Sequence, residues 1–321
     1  IDRGAKFLWT FIQSEDIEKH HQKVGDAREH ILAAYALVHA GGHKRFPEFD
    51  RALRAYLTRV DPYQLGAYEN GLLCMLIESY GEPSFFPKQR QAARYLVEAE
   101  GEHGSWTYNA SVPPSDVAPT GPLIVLAGGT AASRSGDKDA MRRLTPWSVG
   151  KDGDNSCSQF AVLGIHAASR CQTKIGSDVW RRNLALCRGR QNKDGGWGYT
   201  DGDTSSYGSM TCAGICALAI DRYELGEQPP EVDEGIERGL AWMDGQFSVE
   251  GNPQKGNYLY YYLYSLERVG RILDTEFIGQ HEWYPLGAKF LVGAQKEDGR
   301  WLEPIEEDPR VPTGFALLFL T

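Results

Sequence analysis

Gln191-Asn-Lys-Asp-Gly-Gly-Trp197 closes one amphipathic stretch and opens the turn to the next, and its frame recurs along the chain. Around Gln295 the sequence runs Gly287-Ala-Lys-Phe290-Leu291, three residues, Gln295, three residues, then Gly299, Arg300 and Trp301. Around Glu100 it runs Tyr95-Leu96, three residues, Glu100, three residues, then Gly104, Ser105 and Trp106. The pentapeptide Gly-Ala-Lys-Phe-Leu occurs twice, at Gly4 to Leu8 and at Gly287 to Leu291. Internal repetition of this kind implies stacked supersecondary units. Within the frame, the aromatic-Leu pair belongs to the apolar face of a helix and the Gln or Glu to its last turn. An Asp-Gly or His-Gly turn then breaks the helix, because glycine supplies the positive φ that ends it. The tryptophan folds back as a plug whose indole N–H needs a Gln side chain or a nearby carbonyl.

Outward from this frame the chain alternates between two kinds of segment. Amphipathic, charged segments are expected over residues 4–13, 49–60, 88–100, 138–144, 177–190, 233–247 and 283–294. Each precedes a segment that is apolar nearly all round and rich in Ala, Gly, Cys and Ser: residues 27–39, 68–80, 116–127, 155–169, 206–223, 257–271 and the run from Thr313. The first kind suits an outer helix and the second a buried one. Outer–inner pairs repeating every ~40–55 residues suit two concentric rings. No sustained period-two stretch stands outside ambiguous ones such as residues 258–264, so strands are not needed. The expectation is an all-α chain: a single α/α toroid over residues 1–321, built of about six to seven outer–inner pairs.

Gln-x-x-Asp-Gly-Gly-Trp inside a helical repeat resembles the QW motif of the squalene/oxosqualene cyclase and protein prenyltransferase superfamily. Most of the chain is similar to the bacterial proteins built of prenyltransferase and squalene oxidase repeats. The resemblance implies a terpenoid cyclase-like toroid of six pairs, with any seventh a short or capping pair. The chain begins inside a repeat and stops on the apolar run Phe315-Ala-Leu-Leu-Phe-Leu, as expected of a piece of a longer protein.

Of the 321 residues 41 % are apolar, enough for a sizeable core. A net charge of −9 with scattered Lys and Arg argues against nucleic acid as a partner. No apolar run approaches the length of a membrane span. The six cysteines form no Cys-x-x-Cys and no His-paired spacing, and Cys212 and Cys216, four apart, read as small core residues.

A toroid presents the N-terminal ends of its inner helices, with their unpaired N–H groups, at one mouth. The ligand-binding candidates opening those helices are Glu69, Asn155, Gln159, Tyr207, Tyr258, Tyr260 and Tyr261, with Trp197 shaping the pocket. Asp152-Gly-Asp154-Asn155-Ser156-Cys157 resembles the Asp-x-Asp-Asp-Thr acid motif of class II terpene cyclases. That resemblance implies Asp154 as general acid and Asp152 as the residue that helps hold its proton, with Asn155 in place of the last acid. The plainer reading makes Asp154 or Ser156 an N-cap on the helix carrying Phe160 to Leu163. The run Tyr258 to Tyr264 offers aromatic faces that stabilise a carbocation, stack on a sugar ring or simply pack.

No metal or other cofactor is implied. The prenyltransferases hold zinc with an Asp, a Cys and a His, whereas Asp154 and Cys157 stand three apart and no His opens a later inner helix. His166 reads as a core histidine and Asp201-Gly-Asp203 as a turn rather than a calcium loop.

Three functions compete. A terpenoid-type enzyme needs an apolar cavity for an isoprenoid or other lipid, with Asp154 as acid. A non-catalytic binding or scaffold module for a protein partner, lipid or glycan predicts a filled pore and an exposed apolar patch. A carbohydrate-active enzyme needs carboxylates such as Glu69, Asp116 and Asp154 facing one another across an open mouth.

Overall fold

The apolar periodicity produces helices almost everywhere it occurs. A computed structural model describes residues 1–14, 24–108, 112, 124–125 and 153–321. Thirteen α-helices lie among them: α1 (Asp2–Ser14), α2 (Val24–His39), α3 (Gly42–Arg45), α4 (Pro47–Arg59), α5 (Ala67–Tyr80), α6 (Phe86–Glu98), α7 (Asn155–Arg170), α8 (Ser177–Gly189), α9 (Gly208–Leu225), α10 (Pro230–Gly245), α11 (Leu259–Ile272), α12 (Trp283–Ala294) and α13 (Arg310–Leu320). α3 is not expected from sequence, since Gly41-Gly42 reads as a helix end; the ends of the other twelve fall within a turn of those expected. α4 and α10 start earlier than their apolar stripes because Pro47 and Pro230 occupy the first turn, where a missing N–H costs nothing.

Burial separates two classes. In α9, 14 of 18 residues are buried, whereas in α4 only Phe49, Leu53 and Leu57 are. The buried helices pack on one another in chain order: α2 on α5, α5 on α7, α7 on α9, α9 on α11, α11 on α13, and α13 back on α2. Six helices thus follow one another in a closed cycle. The others lie outside it: α1 against α2 and α13, α6 against α5 and α7, α8 and α10 against α9, and α12 against α11 and α13. The tightest step is α5 to α7, where a Cβ on Gly164 would stand 2.5 Å from the Gly71 Cα. Two glycines therefore bring the backbones into direct contact.

The recurring frame makes one turn three times. Gly104, Gly195 and Gly299 have φ of +91°, +95° and +97°. In each turn the glycine N–H donates to the carbonyl three residues earlier, those of Gly101, Asn192 and Lys296. Trp106, Trp197 and Trp301 are at most 1 % exposed. Each indole N–H donates to the carbonyl ten residues earlier, on Leu96 at 2.6 Å, Cys187 at 2.8 Å and Leu291 at 2.8 Å. Each tryptophan's backbone N–H donates to a hydroxyl of the next buried helix: Ser158, Thr211 and Thr313. A Cβ on the three glycines would strike the backbone of Arg182, Arg238 and Arg3, in α8, α10 and α1. Each turn therefore docks one outer helix on the next outer helix, and the third joins the end of the chain to its beginning.

Two expectations change. Strands do occur, as two-residue ladders: Ile124–Val125 parallel to Lys174–Ile175, and Phe277–Ile278 antiparallel to His281–Glu282. Ile124–Val125 fall within the stretch 116–127 where the sequence predicts a helix. The rest of that segment and residues 138–144 lie outside the described residues, and the cycle of buried helices closes through α5 and α7 without them. Cys212 and Cys216 are core residues, as their spacing implies. Among the described residues no helix is long and apolar enough to cross a membrane.

Candidate functional site

The N-terminal ends of α5, α7, α9 and α11 carry the expected site residues. Asp154 is extended, and its Oδ1 accepts the Cys157 N–H at 2.7 Å, so it caps α7. Burial raises its carboxyl pKa, opposed by the hydrogen bonds it accepts from Cys157 and Tyr199. Burial likewise pushes the Tyr199 phenol up to about 12. Asn155 is fully engaged in the fold: its Nδ2 donates to the Gly198 carbonyl at 2.8 Å and its Oδ1 accepts from Arg190 at 3.0 Å. Asp203 accepts the Tyr199 and Ser205 N–H groups, which makes Asp201-Gly-Asp203 a self-bonded turn.

One polar chain links three helix ends. Glu69 is fully buried and its Oε1 accepts from Arg28 at 3.0 Å, while Oε2 has no partner among the described residues. The Arg28 guanidinium lies 5.0 Å from the Tyr68 ring centre and 4.9 Å from that of Tyr108. The Tyr108 hydroxyl lies 3.2 Å from Ser156 Oγ, which in turn lies 3.2 Å from the Tyr261 hydroxyl. Tyr261 donates to Gln159 Oε1 at 2.6 Å, and Gln159 donates to Ser265 at 3.2 Å. Gln159 and Tyr261 are therefore brought together beside Ser156, and Glu69 is linked to them through Arg28 and Tyr108.

Beneath this chain lies a column of rings. Phe160 stacks on Tyr68 at 3.9 Å, and its centre is 6.1 Å from Tyr261, 6.0 Å from Tyr264 and 6.4 Å from Phe315. Phe160, Tyr264 and Phe315 are at most 2 % exposed, so four buried helices meet through aromatic side chains.

No family model and no curated protein matches this chain.

The other expected residues scatter. Tyr207 is buried, with the Lys255 ammonium 5.0 Å from its ring centre. Tyr258 is 43 % exposed and takes φ of +60° as the residue capping α11, just outside the helix that carries Tyr261. Tyr260 is buried, with burial and nearby Glu303 raising its phenol to about 12. Trp197 is enclosed between helices, its ring against Gly214 and Gly239, and plugs the seam instead of facing a ligand. Asp152 and Asp116 lie outside the described residues. Among the described residues no three His, Cys, Asp or Glu side chains converge as metal ligands would. Sequence reasoning missed Arg28, Tyr108, Phe160 and Phe315. Phe160 and Phe315 look like ordinary core residues in a helical pattern, and nothing local marks Arg28 or Tyr108.

Proposed function

We propose that the chain is a QW-type α/α toroid of the cyclase and prenyltransferase kind that works as a binding module. The closed cycle of six buried helices and the thrice-repeated turn support the toroid. The observation that carries the function is the ring column: Phe160, Tyr261, Tyr264 and Phe315 occupy the position where a cyclase would have to fold a polyprenyl chain. The mouth above it, with Tyr68, Tyr108 and Tyr261 around Ser156 and Gln159, suits a ligand with one apolar face and one hydrogen-bonding edge.

A class II acid mechanism is the second reading, favoured by the raised pKa of Asp154 in its buried setting. Against it, Asn155 holds the fold together and carries no proton to transfer. The two part on one experiment. Wild type and Asp154→Asn are incubated with squalene, oxidosqualene and geranylgeranyl diphosphate, and products and bound lipids are identified by mass spectrometry. The module reading expects no cyclised product from either protein and the same co-purifying ligand in both. A cyclised product that disappears in Asp154→Asn would overturn it.

A further inference from the structure

We propose that a cavity at the opposite, C-terminal end of the buried helices binds a small organic oxyanion, a carboxylate or phosphate carried on a short apolar body. The cavity measures about 320 Å³, at the small end of ligand sites (roughly 300–1,000 Å³). Four guanidiniums line it, from Arg170 on α7, Arg222 on α9, and Arg268 and Arg271 on α11; Glu78 on α5 is its one carboxylate. Met75, Leu163, Ala219, Ile220 and Ile272 provide its apolar wall. Tyr264 separates it from the mouth described above: its ring packs on Phe160, its hydroxyl reaches Met75 Sδ at 3.6 Å, and Arg268 lies 5.3 Å from its ring centre. The inference is therefore independent of the function proposed for the other end.

An arginine in the last turn of a helix ordinarily offsets the helix-end carbonyls and extends into water. Arg170, Arg222 and Arg271 occupy such positions. Here, however, three helices aim their arginines into one space, and Arg268, a turn further in, has only 17 % of its side chain exposed. Three carboxylates partner these four arginines. Glu78 takes two N–H groups of Arg170, at 2.6 and 2.7 Å, and Asp233 pairs with Arg222. Glu267 serves both Arg268, at 2.5 and 2.7 Å, and Arg271, at 3.3 Å. These bonds use a minority of the donors that four guanidiniums carry. Glu224 is held by His166 at 2.7 Å and by Ser169 at 2.9 Å. Planar forks with spare N–H groups match a carboxylate or phosphate two bonds at a time, and the adjoining apolar wall takes the body of the ligand.

The test is calorimetric titration with hexanoate, hexyl phosphate and hexanol. The variants are Arg271→Gln and Arg170→Gln, whose side chains are 59 % and 55 % exposed and not needed to fill the core. The wild type should bind at least one of the two oxyanions about tenfold or more tighter than hexanol, and the binding should weaken with added salt. Each variant should bind that oxyanion about tenfold more weakly, with circular dichroism and melting temperature unchanged. Absence of binding by both oxyanions, equal binding of hexanol, or undiminished affinity in both folded variants would overturn the proposal.

Discussion

Gly71 and Gly164 set how closely two buried helices approach. A methyl group on Gly164 would meet the Gly71 backbone, and one on Gly71 would stand 2.2 Å from the Phe160 carbonyl oxygen. Backbone cannot rotate aside as a side chain can, so α5 and α7 would have to separate along the densest seam of the fold. Gly164→Ala is therefore expected to cost roughly 1–3 kcal/mol, despite the helix propensity it gains. Urea unfolding would measure this, and an unchanged midpoint would contradict the close crossing. Asp154 illustrates what is legible at this scale. Its capping role follows from an acid placed directly before an apolar helical run, which a sequence displays. The bond from Arg190 to Asn155 does not, because it joins two elements whose neighbourhood only the fold creates.

At the scale of the element, the frame announced by Gln191 to Trp197 is a staple with three parts. Its glycine lies against the next outer helix, its indole is bonded to the helix it ends, and its backbone N–H is bonded to the next buried helix. The last part is testable. Thr211→Val keeps the shape of the side chain but leaves the buried Trp197 N–H without its acceptor at 3.2 Å, and Thr313→Val does the same to Trp301 at 3.1 Å. Each should lower stability by about 1–3 kcal/mol, read from the melting temperature. Because the sites share no partners, the double variant should show the sum. A neutral result in either would mean that the hydroxyl is incidental. The sequence made the turn and the plug legible, since glycine and tryptophan recur at fixed spacing. It did not show where the plug's indole bonds, because any carbonyl within reach would serve. It also missed the two-residue strands, which are too short to leave a period.

At the scale of the molecule, the repeat made alternating outer and buried helices readable, because each class has its own apolar pattern. The number of buried helices in the closed cycle was not readable, since it depends on which neighbours touch. The two ends of that cycle also differ in chemistry: Arg28 among tyrosines at one, and four arginines around a cavity at the other. His39 sits at the arginine end, with Nε2 2.9 Å from Ser79 Oγ. Burial, aided by Arg268 and Arg271, lowers its pKa from 6.5 to about 4. A histidine kept neutral by the fold stabilises it fully above the unfolded pKa. Below that value the unfolded chain takes up the proton first, so stability falls as pH drops from 6.5 through 4. The shift corresponds to at most about 3 kcal/mol, and partial exposure reduces it. His39→Gln retains a hydrogen-bonding group for Ser79 but cannot titrate. Its unfolding free energy should therefore decline less between pH 6.5 and 4.5 than that of the wild type, in parallel urea titrations that share every other acid. Equal declines would show that His39 takes up its proton as readily in the folded protein as in the unfolded chain.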